Sequence, residues 1–319
     1  MALRGAVIGV GYLGQFHAQK IKAHPEAELV AVCDFSYAQA QKVAASLSTT
    51  AVEKKEDLLG KVDFVQIAAS TQAHFELAKF FLENKIPVLV EKPIAATVEQ
   101  ARILCDIAEK NQTLFTVGHI ERFNPALKFL KDNKAGATYL EINRLAPFRP
   151  RGADVSVLHD LTIHDIDLVN WIFDEPIVSY EVSGAKLIKP TIDDVSIRLK
   201  LKSGIQVTIN NSRVTPQIIR NYRLVKKDEV IVMNTATLEA EILKVTQEDP
   251  FHTVEKVQIP KADTLALETD HFIQCLLGKK QLMITAKEAT FALDLVEKFV
   301  ADIEAQLAAN STGQPKAKA

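Results

Sequence analysis

The chain is poor in cysteine. Cys33, Cys105 and Cys275 are the only three in 319 residues, and no two form a CxxC pair. That odd, sparse set excludes a disulfide framework and a thiolate zinc cluster, and it fits a reducing compartment. Neither sign of charge is in excess. The 38 Lys and Arg against 40 Asp and Glu leave a formal net charge of −2, so no global field selects nucleic acid or a membrane surface as partner. Long apolar runs are absent as well. No stretch reaches the roughly 18 residues of a membrane span. The apolar start, MALRGAVIGVGYLG, is broken by glycines and no cleavage-like site follows it. These absences point to a cytoplasmic globular protein with no nucleic-acid and no membrane partner.

What is present is an ordinary core-forming composition, 47% hydrophobic, in a chain long enough for two domains. The first part alternates short apolar runs with helical patterns. Ala6–Val10, Leu29–Cys33, Phe64–Ala68, Val88–Val90 and Leu114–Val117 read as strands. Helical patterns at Tyr12–Ala23, Tyr37–Leu47, Gln72–Glu83 and Val98–Lys110 separate them. Near-continuous apolar strands between helices predict a parallel, doubly wound α/β sheet over residues 1–120. After Gly118 the pattern changes. Helical stretches at Leu158–Phe173 and Leu265–Leu277 bracket strand-like segments at Ile177–Val182, Val195–Leu201, Ile205–Asn210 and Val230–Met233. The turn signal Lys202-Ser203-Gly204 joins two of these. Residues 121–308 therefore read as an α+β domain with a mostly antiparallel open sheet. Its final helices, ending with Ala286–Leu307, can pack back on the first domain. Residues 309–319 are polar with Gly and Pro and read as a disordered tail. An open sheet would expose a large apolar face, which predicts a homodimer or homotetramer.

Gly9-Val10-Gly11-Tyr12-Leu13-Gly14 is a G-x-G-x-x-G string placed between a predicted strand and a predicted helix. In that context Gly9 permits the tight turn, Gly11 lets a pyrophosphate approach the backbone, and Gly14 lets helix and strand pack closely. The helix N-terminus favours the phosphate charge. The alternative is a glycine-rich turn in another α/β fold. Asp34 ends the second strand twenty residues past Gly14, where a carboxylate accepts the hydroxyls of an adenosine ribose. It would repel a 2′-phosphate, and no Arg or Lys follows in Phe35-Ser36-Tyr37-Ala38, so NAD is favoured over NADP. The alternative for Asp34 is a helix cap.

Lys92, in Glu91-Lys92-Pro93, follows a strand whose carboxyl end faces the ligand crevice in open α/β sheets. A lysine there can stabilise a developing alkoxide; elsewhere it is a surface turn residue. Asp160, His164 and Asp167 fall at i, i+4 and i+7, one face of a helix. His164 can take a hydroxyl proton and Asp160 can orient it. A solvated acidic face is the plain alternative. A metal site on His159 and His164 is disfavoured, because five residues separate them. No metal is expected.

With these strings in hand, Gly9–Gly14, Glu91-Lys92-Pro93 and Asp160–Asp167, the chain resembles the glucose–fructose oxidoreductase / inositol dehydrogenase / MocA family from about Leu3 to Ile303. The resemblance implies a Rossmann domain followed by an open-faced sheet domain, and reversible oxidation of a sugar or polyol hydroxyl by a nicotinamide cofactor. It implies Lys92 and His164 as catalytic, with Asp160 assisting. It also implies a cofactor site of Gly9, Gly11, Tyr12, Leu13, Gly14, Asp34, Ser70, Thr71, His74, Glu91 and Lys92. The family often has Gly where this chain has Thr162, which bears on how the helix starts.

Gly118–Pro125 and Asp160–Asp167 further resemble the UDP-N-acetylglucosamine 3-dehydrogenases of that family. Those oxidise the 3-hydroxyl to a ketone that an aminotransferase then converts, for lipid A. Asn210–Pro216 and Arg220 resemble the nucleotide-sugar members, although Lys226–Glu229 lacks the glycines expected there. A diphosphate needs cations, and Arg122, Arg149, Arg151, Arg213 and Arg220, with Asn124, are the candidates alongside Lys92, Asp160 and His164. Any one of these arginines is equally well an ordinary surface residue. Phe123 and Phe148 read as uracil platforms or as core. Two other functions stay open: a dehydrogenase of a free polyol or sugar, and a cofactor-binding regulator without turnover. Lys92 with His164 argues against the regulator.

Overall fold

The computed structural model describes residues 2–150 and 155–313. The chain separates into two compact units, Met1–Phe123 with Asp263–Leu293, and Asn124–Ala262 with Asp294–Ala319.

The first unit is built on six strands: β1 (Leu3–Ile8), β2 (Ala27–Cys33), β3 (Thr50–Val52), β4 (Phe64–Ile67), β5 (Val88–Glu91) and β6 (Phe115–Gly118). All pair in parallel, in the order β3-β2-β1-β4-β5-β6. Every residue of β4, β5 and β6 is buried, as a sheet covered on both faces requires. The crossovers are α1 (Gly14–Ala23), α2 (Tyr37–Leu47), α3 (Thr71–Glu83) and α4 (Val98–Asn111). Thr97 caps α4 by accepting the Gln100 N–H at 3.3 Å. The strand order reverses between β1 and β4, and in such sheets the ligand crevice lies beyond the carboxyl ends there. A helix from far along the chain, α7 (Thr264–Leu276), completes this unit by setting Phe272 edge-on to Phe64, with ring centroids 5.7 Å apart.

The second unit opens with α5 (Pro125–Asp132) and carries α6 (Ile163–Phe173). Its strands are β7 (Ala137–Leu145), β8 (Ile177–Ala185), β9 (Asp194–Leu201), β10 (Gln206–Ser212), β11 (Ile219–Lys226), β12 (Glu229–Asn234), β13 (Glu239–Val245) and β14 (His252–Gln258). They form one sheet in the order β14-β13-β12-β11-β7-β10-β9-β8, antiparallel except for β7 with β10. The last helix, α8 (Ala286–Gly313), reaches beyond the Leu307 end expected from sequence. No helix among the described residues is long and apolar enough to cross a membrane.

The expected large apolar face is not what the sheet presents. Inward positions such as Leu140, Ile142, Ile197, Ile209 and Leu224 are buried. The opposite face carries transverse rows in strict register. One row runs Ser183, Ser196, Asn210, Asn143, Asn221, Asn234, Glu239 and Gln258. The next includes Glu181, Arg198, Glu141, Arg223, Glu241 and Lys256, with signs that pair in register. Apolar residues on this face are Tyr139, Val225, Val230, Leu243 and Val254 in the next row, which continues into Gln206 and Lys200, with Val232 in the charged row and Leu145 opposite Ile219 beyond. Polar rows thus divide the apolar residues of this face into patches.

One buried ion pair closes an edge of this unit. Asp193 Oδ2 accepts the backbone N–H groups of Leu187, Ile188 and Lys189 at 2.8, 2.6 and 3.0 Å, and its Oδ1 accepts Arg213 Nε at 2.7 Å. Burial alone would raise the Asp193 pKa, but these donors outweigh it and take it down to about 2. The native carboxyl thus titrates below the ordinary 3.8, so its stabilisation is present above that value and is lost as pH falls through about 2. Asp193→Asn is expected to lower unfolding stability at neutral pH by on the order of 2 kcal/mol. Urea unfolding at several pH values checks this, and the deficit should shrink as the buffer is taken from pH 4 toward about 2.

Candidate functional site

The glycine string forms the turn between β1 and α1. Gly9 has φ +81°, and a Cβ there would lie 2.6 Å from the Ala69 backbone. A Cβ on Gly14 would lie 1.8 Å from the Gly9 carbonyl oxygen, so helix and turn touch with no room for a side chain. Gly11 has nothing within 4 Å of its Cβ position and faces open space. Two glycines serve packing and one leaves a bare backbone to a ligand, the division that a dinucleotide pyrophosphate requires.

Beside the turn lies a cavity of about 590 Å³, lined by Gly9, Gly11, Asp34, Phe35, Glu53 to Glu56, Ser70 and Leu77 among others. Asp34 accepts the Val10 N–H at 2.8 Å on Oδ2 and the Ser36 N–H at 2.9 Å on Oδ1. It ties the glycine turn to the end of β2, and each oxygen keeps a second lone pair for a hydroxyl. The helix cap itself is Ser36, whose hydroxyl accepts the Gln39 N–H. Phe35, beside Asp34, is exposed to the full extent of its surface, an apolar ring at the rim of a cavity. Sequence reading passed over Phe35, and over Lys54 and Lys55, which fold back from the segment after β3. Cys33 also lines the cavity, but burial and then Asp34 push its thiol up to about 11, so it stays protonated and inert. Tyr12 and Leu13 are both exposed.

The remaining expected cofactor contacts divide between the cavity and the protein interior. Ser70 is at the N-cap position of α3 and lines the cavity, with Thr71 next to it. His74 is 1% exposed, and its ring nitrogens lie 2.8 and 3.1 Å from the carbonyls of Pro93 and Ala69. It fastens two loops to each other. The carboxylate of Glu91 turns inward to His17, with Oε1 2.7 Å from His17 Nε2. Its other oxygen lies 3.3 Å from the Lys92 backbone nitrogen. Lys92 itself is half-buried at the carboxyl end of β5.

In the second unit the expected helix begins as a π turn over Leu158–Thr162 before α6 continues. Wide turns of this kind recur at functional sites. Asp160 and His164 are both half-exposed, whereas Leu158, Thr162, Ile163 and Asp165 are buried. Asp167, expected on the same face, is 1% exposed. Thr162, in place of the family's glycine, donates to Asn211 Oδ1 at 2.6 Å.

Directly after His164 lies a residue the sequence did not single out. Asp165 is fully buried and receives Arg144 Nη2 at 2.9 Å, Asn211 Nδ2 at 2.6 Å and Tyr222 Oη at 3.3 Å. The donors come from β7, β10 and β11, so three adjacent strands hold the first turn of α6. The available signal was Arg144 itself, a charge at an inward position of the alternating run Leu140, Ile142, Arg144.

The proposed diphosphate cations separate sharply. Arg122 is 2% exposed and belongs to the first unit, where Nη1 donates to the Met283 carbonyl at 2.6 Å and to Glu288 at 3.1 Å. Arg213 is held by Asp193, Val155 and Thr191. Both arginines are structural, because a buried guanidinium must be paired. Asn124 Oδ1 caps α5 by accepting the Ala126 N–H at 3.0 Å. Phe123 packs against His271, with ring centroids 5.5 Å apart. Arg149 is exposed and Phe148 half-buried, and Arg151 lies outside the described residues. Arg220 stands opposite Arg144 in the β7–β11 register and shares the inward parity of Tyr222. Its guanidinium makes no ion pair among the described residues.

Comparison with known proteins agrees with this geometry. Residues 3–119 match the oxidoreductase family model with an NAD-binding Rossmann fold, and residues 143–225 match the GFO/IDH/MocA C-terminal domain. A UDP-N-acetylglucosamine 3-dehydrogenase of Acidithiobacillus ferrooxidans is 33% identical over 87% of this chain and 90% of its own. Its solved structure superposes with a TM-score of 0.88 at 30% identity, covering 96% of this chain and 99% of that one. A scyllo-inositol 2-dehydrogenase (NAD(+)) of Bacillus subtilis is 25% identical over 92% of both chains. The chain belongs to the GFO/IDH/MocA family of oxidoreductases, and its cofactor is NAD.

Proposed function

We propose that this protein oxidises the 3-hydroxyl of a UDP-sugar, UDP-N-acetylglucosamine, to the 3-keto form. The observation that carries the reading is the relative of that activity, matched along 90% of its length. In the first unit, the turn of Gly9, Gly11 and Gly14 would receive the pyrophosphate at the bare backbone of Gly11, Asp34 would accept the adenosine ribose, and Phe35 lines the same cavity. NAD, when bound, accepts the hydride from the sugar carbon. His164 takes the hydroxyl proton, Asp160 orients it, and Lys92 holds the oxygen as negative charge develops. Arg220, and the exposed Arg149 from the segment after β7, would meet the diphosphate, whose binding energy orients the remote carbon. The product ketone suits an aminotransferase of the kind that supplies amino sugars to lipid A.

The cofactor assignment predicts that Asp34→Ala weakens NAD binding and relaxes discrimination against NADP, since it removes both the ribose acceptor and the tie to Val10. A wild-type kcat/KM higher with NADP than with NAD overturns it.

Lys92→Met and His164→Ala should each lower kcat by about 10²–10⁴-fold while leaving NAD affinity near normal by fluorescence titration. Turnover retained on the true substrate removes that residue from the mechanism. EDTA should have no effect, and activity restored by zinc or manganese would contradict the metal-free assignment.

For the substrate, NADH formation is measured across UDP-sugars, free N-acetylglucosamine and inositol, with an aminotransferase and glutamate trapping the ketone. The free sugar should be far poorer, and UDP should compete with the nucleotide-sugar. Arg220→Ala should raise KM for the nucleotide-sugar more than for NAD. Equal turnover of inositol without UDP inhibition would replace this reading with a polyol dehydrogenase, the activity of the Bacillus subtilis relative.

A further inference from the structure

Four polar side chains meet in the interior of the first unit. His17 from α1 has Nδ1 2.9 Å from Gln66 Oε1 and Nε2 2.7 Å from Glu91 Oε1. Glu268 from α7 brings a carboxylate oxygen to the same place, within 4.8 Å of the His17 and Glu91 atoms. Glu268 is 2% exposed, and neither of its oxygens has a hydrogen-bond partner among the described residues. Glu268 thus stands near the His17–Glu91 pair without bonding to it, and Glu91 in turn accepts the backbone N–H of Lys92 at 3.3 Å.

Two buried carboxylates beside one imidazole do not both ionise, because their charges repel in a medium that solvates neither. The contacts decide which one keeps its proton. Burial opposes charge on His17, but its hydrogen bond to Glu91 and the Glu91 charge raise its pKa overall. Burial likewise opposes ionisation of Glu91, yet His17 and Lys92 hold it below the ordinary carboxylate range. Glu268 has no donor. Burial first, and then the Glu91 charge, push it up to about 8 against the pull of His17.

We propose that Glu268 is a positioning residue for Lys92: as a neutral acid it closes the far side of the His17–Glu91 pair and so keeps Glu91 seated against the Lys92 backbone. The proposal rests on the assignment of Lys92 made above. Ionised Glu268 would compete with Glu91 for His17 and loosen the turn that carries Lys92. Few other charges bear on it. From α1 the group facing it is His17 and from β5 it is Glu91. On the Ile120–Phe123 turn packed against α7, Arg122 is engaged by Met283 and Glu288. Lys20 and His24 on α1 pair with Asp263 and Asp270. The three side chains have the donor types of a metal site, but both His17 nitrogens already have protein partners, which favours a shared proton over an ion.

Glu268→Gln has the shape of the neutral acid and cannot ionise. Wild-type kcat should fall as pH rises through about 8. Glu268→Gln should keep neutral-pH turnover and lose that fall, with KM for NAD unmoved in both. Stability supplies a readout independent of substrate. A native pKa raised from 4.5 to about 8 gives stability that is complete below 4.5 and declines as pH rises to about 8. The urea midpoint of Glu268→Gln should therefore exceed that of wild type by a margin that grows over this window and then levels. Infrared spectra of the unmutated protein should show a protonated-carboxyl band at about pH 6 that vanishes through about 8, which needs no variant to fold. The proposal is overturned by an unchanged alkaline fall in Glu268→Gln, by parallel stability curves, or by a stoichiometric divalent metal that wild type retains and the variant does not. Full activity of Lys92→Met would instead remove the catalytic assignment and leave the stability and infrared results to report on the Glu268 proton.

Discussion

A carboxylate taken out of water must be paired or it will not stay ionised, and this constraint organises both units. Glu91 is buried on His17, and Asp165 is buried on Arg144. Each lies next in sequence to a side chain assigned to chemistry, Glu91 before Lys92 and Asp165 after His164. The side chains proposed for the chemistry therefore extend from backbone that a neighbouring ion pair pins to the core. Such pairs add little net stability against well-packed apolar residues, whereas breaking one costs about 3–5 kcal/mol. What they supply is geometry, since both partners must be in place before the turn can form.

The partners of these carboxylates come from far along the chain. His17 and Glu91 are 74 residues apart, and Asp165 meets Asn211 and Tyr222 at separations of 46 and 57. Asp193 shows the same logic at the edge of the second sheet, where three successive backbone N–H groups and one arginine surround a single carboxylate. The arginines at Arg122 and Arg213 are consequently part of the scaffold, and Arg220 is the inward-parity cation without an ion pair among the described residues.

The second sheet solves a different problem. Eight strands with one solvated face need a register, and a slip of one residue would invert inside and outside. Here the inward apolar positions and the outward amide and charge rows specify the same register, so the two faces reinforce each other. β14, one of the two edge strands, is exposed along almost its whole length and carries Glu255 and Lys256, charges of the kind that discourage edge-to-edge pairing.

By itself the sequence determined what depends on local spacing. The glycine string, Asp34 twenty residues beyond it, and alternating apolar strands and helices specified a doubly wound first unit, because turn sterics and side-chain period act over a few residues. It also specified that Asp160 and His164 share exposure, one helical turn apart. Tertiary structure decided the rest. Strands β7, β11, β13 and β14 were not legible, because outward Glu, Asn, Arg and Lys interrupt their apolar runs; β7 becomes a strand by pairing with the distant β10 and β11, and β11 to β14 by pairing in succession. The place of β7 between β11 and β10 and the engagement of His74, Glu91, Arg122 and Arg213 by protein partners follow from contacts between remote segments. The same holds for Asp165 as against its neighbours on one helix. A residue type states what a side chain can bond to, but which partner arrives, and whether water is excluded there, is set by the packing of the whole unit.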